Sequence, residues 1–352
     1  MKDTMMTPCR RVMAALHNEI PDKIPFTSYE NMVPRCTIER ELRNRGLCIV
    51  KRIPSYKILH PNVTVKTYGF TDEKGRDVVR TVYTTPYGDL SKLTQAGNNT
   101  TWTHEHMFKT PDDYNALLFY IKDSVVTPNY DYIAMEINKH GEDFVFRDQI
   151  VLEPLQVMIS EYMGAETFCY EWMDNQDEVL KLYDALVELA RKVYAVVADG
   201  PLEFANYGGN VVPQIIGLKN FEQYYVPHYN EAAEILHKKG KLIGCHFDAD
   251  NTPIMDAIAR TGLDYIEAYD AGISPSVKEA RKAWPGKVLW LNWPSAWHLH
   301  PIEEVYRDTV RLMEEAAPGN GFIIGITEDV PEERWQKNFT TIMDAIDNNV
   351  AR

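Results

Sequence analysis

The pentapeptide Gly244-Cys245-His246-Phe247-Asp248 sets an imidazole two residues from a carboxylate, at the end of an apolar run of the length of a buried strand. Two such side chains can share one metal ion if the chain turns after the histidine. Nitrogen and oxygen donors together suit zinc or a harder divalent cation, and an open coordination position makes that ion a Lewis acid. The same residues also read as a core histidine bonded to a backbone carbonyl, beside an aspartate that caps a helix. Company separates the two readings, because ligands for one ion converge from several strands and caps need not.

That company stands at the ends of two later runs. Glu267 lies in Tyr265-Ile266-Glu267-Ala268-Tyr269, where an ionised carboxylate among apolar neighbours needs a cation or hydrogen-bond donors to offset its desolvation. Glu328 follows Gly321-Phe322-Ile323-Ile324-Gly325-Ile326-Thr327 and precedes Asp329-Val330-Pro331, so it reads either as a ligand or as an acid before a helix start. The expected metal set is His246, Glu328 and one or both of Asp248 and Glu267, with Asp248 and Glu267 also standing as the catalytic carboxylates. Asp148, Asn206, Tyr207, Asn292 and Trp293 fall at or just after other strand ends, where they would orient a substrate's polar groups and wall its ring. Each of them also reads as an ordinary intramolecular partner. His104 and His106 leave a polar stretch and read as a solvated face. The chain has no Walker A motif, no GxGxxG after a strand and no GxSxG, which removes phosphate-cradling and serine-hydrolase chemistry.

Eight apolar runs would position these residues: Lys23–Tyr29, Cys48–Ile53, Asp143–Gln149, Leu202–Tyr207, Lys241–Phe247, Asp264–Asp270, Val288–Pro294 and Phe322–Glu328. Helical patterns lie between most of them. Eight strands with crossover helices make a (β/α)8 TIM barrel, whose chemistry sits at the C-terminal strand ends. Thr7-Pro8 with Val12, Met13 and Leu16 predicts an N-terminal helical segment. Alternating residues from Val63 to Leu93, with turn signals at Asp72–Gly75 and Pro86–Gly88, predict antiparallel hairpins inserted between barrel strands two and three, about 60–105. Helices are expected over Pro111–Lys122, Tyr130–Lys139 and Gln176–Val197. One domain over residues 1–352 accommodates all of this.

With 37 basic against 51 acidic residues the net charge is −14, which repels nucleic-acid backbones and anionic membranes. The five cysteines form no CxxC, so neither a disulfide framework nor a four-thiolate zinc site is expected. No apolar run reaches the ~18 residues of a membrane span, and the opening MKDTMMTPCRRVMAAL lacks the pattern of a signal peptide, so a cytoplasmic location is expected.

At His246-Phe247-Asp248 and at the run from Gly321 to Pro331 the chain resembles the uroporphyrinogen decarboxylase superfamily, and within it the zinc methyltransferases of cobalamin-dependent methyl transfer. Those enzymes carry His-x-Cys after the fifth strand and a second Cys just before x-x-Pro after the eighth. Here Asp248 and Glu328 stand in the two thiolate positions. The resemblance implies a zinc ion in a harder shell, better matched to an ether oxygen than to a thiol. It therefore implies the methyltransferase component of an O-demethylase, moving a methyl group from an aromatic methyl ether to the cobalt of a corrinoid on a partner protein. A homodimer is compatible with the chain and not required by it. Two other readings remain: a metal-free decarboxylase of the same superfamily, disfavoured because Thr27–Val33 lacks an arginine-rich stretch, and a non-catalytic corrinoid-handling barrel.

Overall fold

A computed structural model describes residues 5–97 and 100–349. All eight apolar runs form strands: β1 (Phe26–Tyr29), β2 (Leu47–Arg52), β3 (Phe144–Gln149), β4 (Phe204–Tyr207), β5 (Leu242–His246), β6 (Tyr265–Tyr269), β7 (Val288–Asn292) and β8 (Phe322–Ile326). They pair in parallel in that order, and Phe26 opposite Ile324 closes the ring. The architecture is a (β/α)8 barrel. Every residue of β6, β7 and β8 is buried, as parallel strands covered on both faces require, so their sequences read as unbroken apolar runs. The first run begins later as a strand than as a pattern, because Pro25 has no N–H to offer the ladder.

The barrel belongs to a compact unit made of the residues up to Ser55, Tyr130–Ile150 and those from Val197 onward. Inside it, side chains alternate with period two. Leu242, Gly244 and His246 of β5 face the interior, whereas the Cys245 thiol lies 3.7 Å from the Tyr229 hydroxyl on the surrounding helix Val226–His237. The lower interior is packed solid. Cys48, Val50, Val145, Phe204, Tyr265, Val288, Trp290 and Ile323 meet Val12, Ala15 and Leu16 of the helix Pro8–Leu16, which plugs the N-terminal end. That helix starts as its sequence predicts, with the Thr7 hydroxyl accepting from the Arg10 N–H at 3.4 Å.

The large rings in this layer place a strict demand on their neighbours. Tyr265 donates to the Ala205 carbonyl at 2.6 Å, and a β-carbon on Gly244 would stand 2.1 Å from the Tyr265 ring. Only glycine fits there. Gly244→Ala should cost stability at the upper end of the ~1–3 kcal/mol typical of overpacking, read as a lower urea midpoint at unchanged m-value.

A second compact unit comprises Tyr56–Asn129 and Val151–Val196. The hairpins expected from alternation form a four-stranded antiparallel sheet of Thr64–Thr71, Asp77–Thr85, Gly88–Ala96 and Thr101–Glu105. Its first turn is fixed by Asp72, whose carboxylate accepts from the backbone N–H groups of Lys74 and Arg76. Tyr56–Leu59 pairs separately with Val125–Pro128. His104 is exposed and bonded to Gln95, as a solvated face predicts, whereas His106 is half-buried with its ring against Gly164. No helix among the described residues is long and apolar enough to cross a membrane.

Candidate metal centre

Parallel register sets His246 on β5 directly beside Glu267 on β6, both facing inward at the C-terminal end of the barrel. Glu267 is completely buried. Its Oε2 accepts from His246 Nδ1 at 2.7 Å and from Asn206 Nδ2 at 3.3 Å, while Oε1 accepts from Arg147 Nη1 at 2.6 Å and from the Tyr29 hydroxyl. Burial alone would raise the Glu267 pKa, but the Arg147 guanidinium and the His246 imidazole hold it below the usual carboxylate range. Glu267 is thus a fixed anion at the centre of the upper layer. Burial would conversely lower the His246 pKa, and the charges of Glu267 and Asp248 reverse that and raise it.

The other ring nitrogen faces two carboxylates from different elements. His246 Nε2 lies 3.5 Å from Asp248 Oδ2 and 3.7 Å from Glu328 Oε1, and one donor atom from each of the three residues lies within 4.8 Å of the others. Both separations exceed the ~2.7–3.2 Å of an N–H···O hydrogen bond. They lie within ion-pair reach of a protonated imidazole, and they also suit a cation: bonds of ~2.0–2.1 Å around a tetrahedral ion set neighbouring donors roughly 3.4 Å apart. Burial raises the Glu328 pKa against the opposing charge of His246, with Asp248 and Glu267 adding to the rise; burial also raises that of Asp270 nearby, with a smaller push from Asp248, and a cation would relieve the repulsion in both. His246 is 15% exposed against 30% for Asp248 and 44% for Glu328, so the group opens to solvent on the carboxylate side.

Of the two carboxylates weighed as completing the set, geometry separates the roles. Asp248 shares the Nε2 side with Glu328. Glu267 sits behind the ring on Nδ1, the arrangement in which a carboxylate fixes the orientation of a metal-binding histidine without touching the metal.

The expected substrate residues divide according to strand phase. Asn206 faces inward, bonds to Glu267, and leaves its buried Oδ1 without a partner among the described residues. Asn292 joins the end of β7 to the end of β8, accepting from the Thr327 N–H at 3.0 Å and donating to the Ser295 hydroxyl at 3.2 Å, and so positions the residue before Glu328. Asp148, Tyr207 and Trp293 are corrections, because each directly follows an inward residue and so faces outward. Asp148 accepts from the Ser55 N–H at 2.8 Å and from the Ser55 hydroxyl, and burial pushes its pKa up to about 6. The Tyr207 ring packs edge-on against Tyr229 at 5.4 Å, and Trp293 is fully buried against Trp297 and His298.

Three contributors escape the sequence reading. Tyr29 and Arg147, neither of them among the expected site residues, both hold Glu267. Gly209 presses the loop after β4 against the imidazole, where a β-carbon would lie 3.0 Å from that of His246, on a backbone at φ 145°. The pair Gly208-Gly209 immediately after a strand end was the available signal.

Comparison with protein-family models and with curated proteins finds no match. Among solved structures, a methyltransferase from Methanosarcina mazei superposes with a TM-score of 0.63 at 14% identity, over 97% of this chain and 99% of that one. The shared property is the fold. A B12-independent methionine synthase from Shewanella sp. W3-18-1 aligns over 87% of this chain and 83% of its own at 9% identity, with a TM-score of 0.43. That score is too low to carry an argument.

Proposed function

We propose that the chain is a zinc-dependent methyltransferase that takes a methyl group from an aromatic methyl ether and delivers it to the Co(I) of a corrinoid carried by a separate protein. The observation that carries this reading is the convergence of His246 Nε2, Asp248 and Glu328 from two strand ends at cation-sized spacing, with Glu267 bracing the imidazole from behind. Full-length likeness of fold to a methyltransferase supports it.

In this reading His246, Asp248 and Glu328 hold the ion. Binding the ion would release the Nε2 proton that the raised pKa favours, while Glu267 keeps the proton on Nδ1, and Arg147 and Tyr29 keep Glu267 anionic and immobile. A bound divalent ion supplies fixed positive charge, which lowers the barrier where an ether oxygen gains negative charge. Asn206 Oδ1 and the open carboxylate side are left to orient the donor. The carbon–oxygen bond breaks with its electron pair going to the phenolic oxygen. The new carbon–cobalt bond uses the electron pair of Co(I), and the phenolate takes a proton from solvent.

The test combines zinc-loaded protein, a reduced corrinoid protein and guaiacol-type ethers, with the cobalt spectrum and the released phenol followed together. Methyl-cobalt and phenol should appear in equal amounts. Persistence of Co(I) with every ether offered would reject the reading, and protein that carries no zinc while decarboxylating a tetrapyrrole acid would replace it.

A further inference from the structure

We propose that the second unit contains a small-molecule site of its own, a tyrosine-walled cavity that takes a one-ring aromatic acid bearing a ring hydroxyl. The cavity encloses about 310 Å³ and is lined by Tyr83, Tyr120 and Tyr162, by aliphatic side chains such as Leu186, and by Lys92 and Glu161. All of these belong to the second unit, and no residue of the candidate metal centre is among them. A volume at the lower end of the ~300–1,000 Å³ of small-ligand pockets admits a single substituted ring.

The walls define the ligand's shape. The Tyr83 and Tyr120 rings meet edge to face at 5.4 Å, those of Tyr120 and Tyr162 at 6.3 Å, and Tyr120 stacks on His60 at 4.0 Å, so the wall is an aromatic cluster that a further aromatic ring can join. None of the three phenol hydroxyls has a hydrogen-bond partner among the described residues. Burial first, and neighbouring phenols and Glu161 after it, raise the pKa values of Tyr120 and Tyr162, so both remain neutral donors.

The charges define its ends. Lys92 comes from the strand Gly88–Ala96 and is half-buried, and its side chain forms no ion pair or hydrogen bond among the described residues. An ammonium that is not paired with the carboxylate lining the same cavity favours a ligand anion. Glu161 lines the same cavity without pairing to Lys92, and so offers an acceptor to a ligand hydroxyl. Ring cages of this kind also bind quaternary ammonium ions, but such a ligand satisfies only Glu161 and leaves Lys92 unpaired inside the same space. A phosphate would find one cation where bidentate recognition uses more, and an apolar surface around it. A carboxylate at one end and a hydroxyl at the other satisfy both charged residues at once.

Titration calorimetry with 4-hydroxybenzoate tests this directly. Wild-type protein should show saturable binding at one site. Lys92→Met and Lys92→Gln should each weaken it by about tenfold or more, and Lys92→Arg, which keeps the charge, by much less. Phenol should bind more weakly than the acid and respond little to the Lys92 variants. His246→Ala should leave the binding unchanged, so failure here and failure of the methyl-transfer reading are told apart. Absence of saturable binding to wild type, or equal binding by folded Lys92→Met and Lys92→Gln, would overturn the proposal.

Discussion

Glu267→Gln should be the most damaging conservative substitution in the barrel. The amide has nearly the volume of the acid, but the buried Arg147 guanidinium then loses its counter-charge, and breaking one side of a buried pair costs about 3–5 kcal/mol. The change also removes the acceptor that orients His246, which should weaken metal binding by roughly 10–100-fold. The two losses separate experimentally. Adding Arg147→Met to Glu267→Gln should recover much of the stability, because neither charge then remains buried alone, while leaving the metal affinity low. Urea midpoints for the two single variants and the double variant measure the first effect, and zinc titration of the same proteins measures the second. Additive destabilisation in the double variant would mean that the pair is not the source of the cost.

His246→Ala has the second large effect, and it falls on metal rather than on fold. Wild-type protein prepared with zinc should hold one ion per chain, and the alanine variant close to none. Asp248→Asn and Glu328→Gln each remove one charged donor and should bind with intermediate affinity. Methyl transfer by His246→Ala should fall by about a thousandfold or more, the rate equivalent of losing several kcal/mol of charge stabilisation. Metal analysis after gel filtration reads the first outcome and single-turnover cobalt spectra the second. An unchanged zinc ratio in His246→Ala would remove the site.

The barrel was legible because its strands are buried on both faces. Runs such as Val288–Asn292 and Phe322–Ile326 have no polar residue until the strand ends, so both the count and the C-terminal ends can be read from the chain. His246, Glu267 and Glu328 stood out because acids and imidazoles are costly at such positions unless something compensates them. Strand phase was harder. Asp148 lies next to Arg147 and Tyr207 next to Asn206, and residue type alone does not say which of two neighbours turns inward. Only their hydrogen bonds to Glu267, on a strand far along the chain, settle that Arg147 and Asn206 do. Tyr29 was missed for a related reason. A tyrosine at the end of an apolar strand looks like packing, and its hydroxyl acquires a function only when Glu267, 238 positions later, arrives beside it.

The filled lower half of the barrel bears on the timing of a reaction at its upper end. Tyr265, Trp290 and Phe204 sit beneath the polar layer, and the first helix closes the end below them. A chamber with a solid floor has a single doorway, and two reactants that meet there must queue. If the proposed reaction runs here, the small ether would have to enter ahead of the bulky cobalt carrier, which would close the entrance behind it. The demethylated phenol would then leave only after that carrier withdraws, so the rate of turnover would follow how quickly the two proteins part.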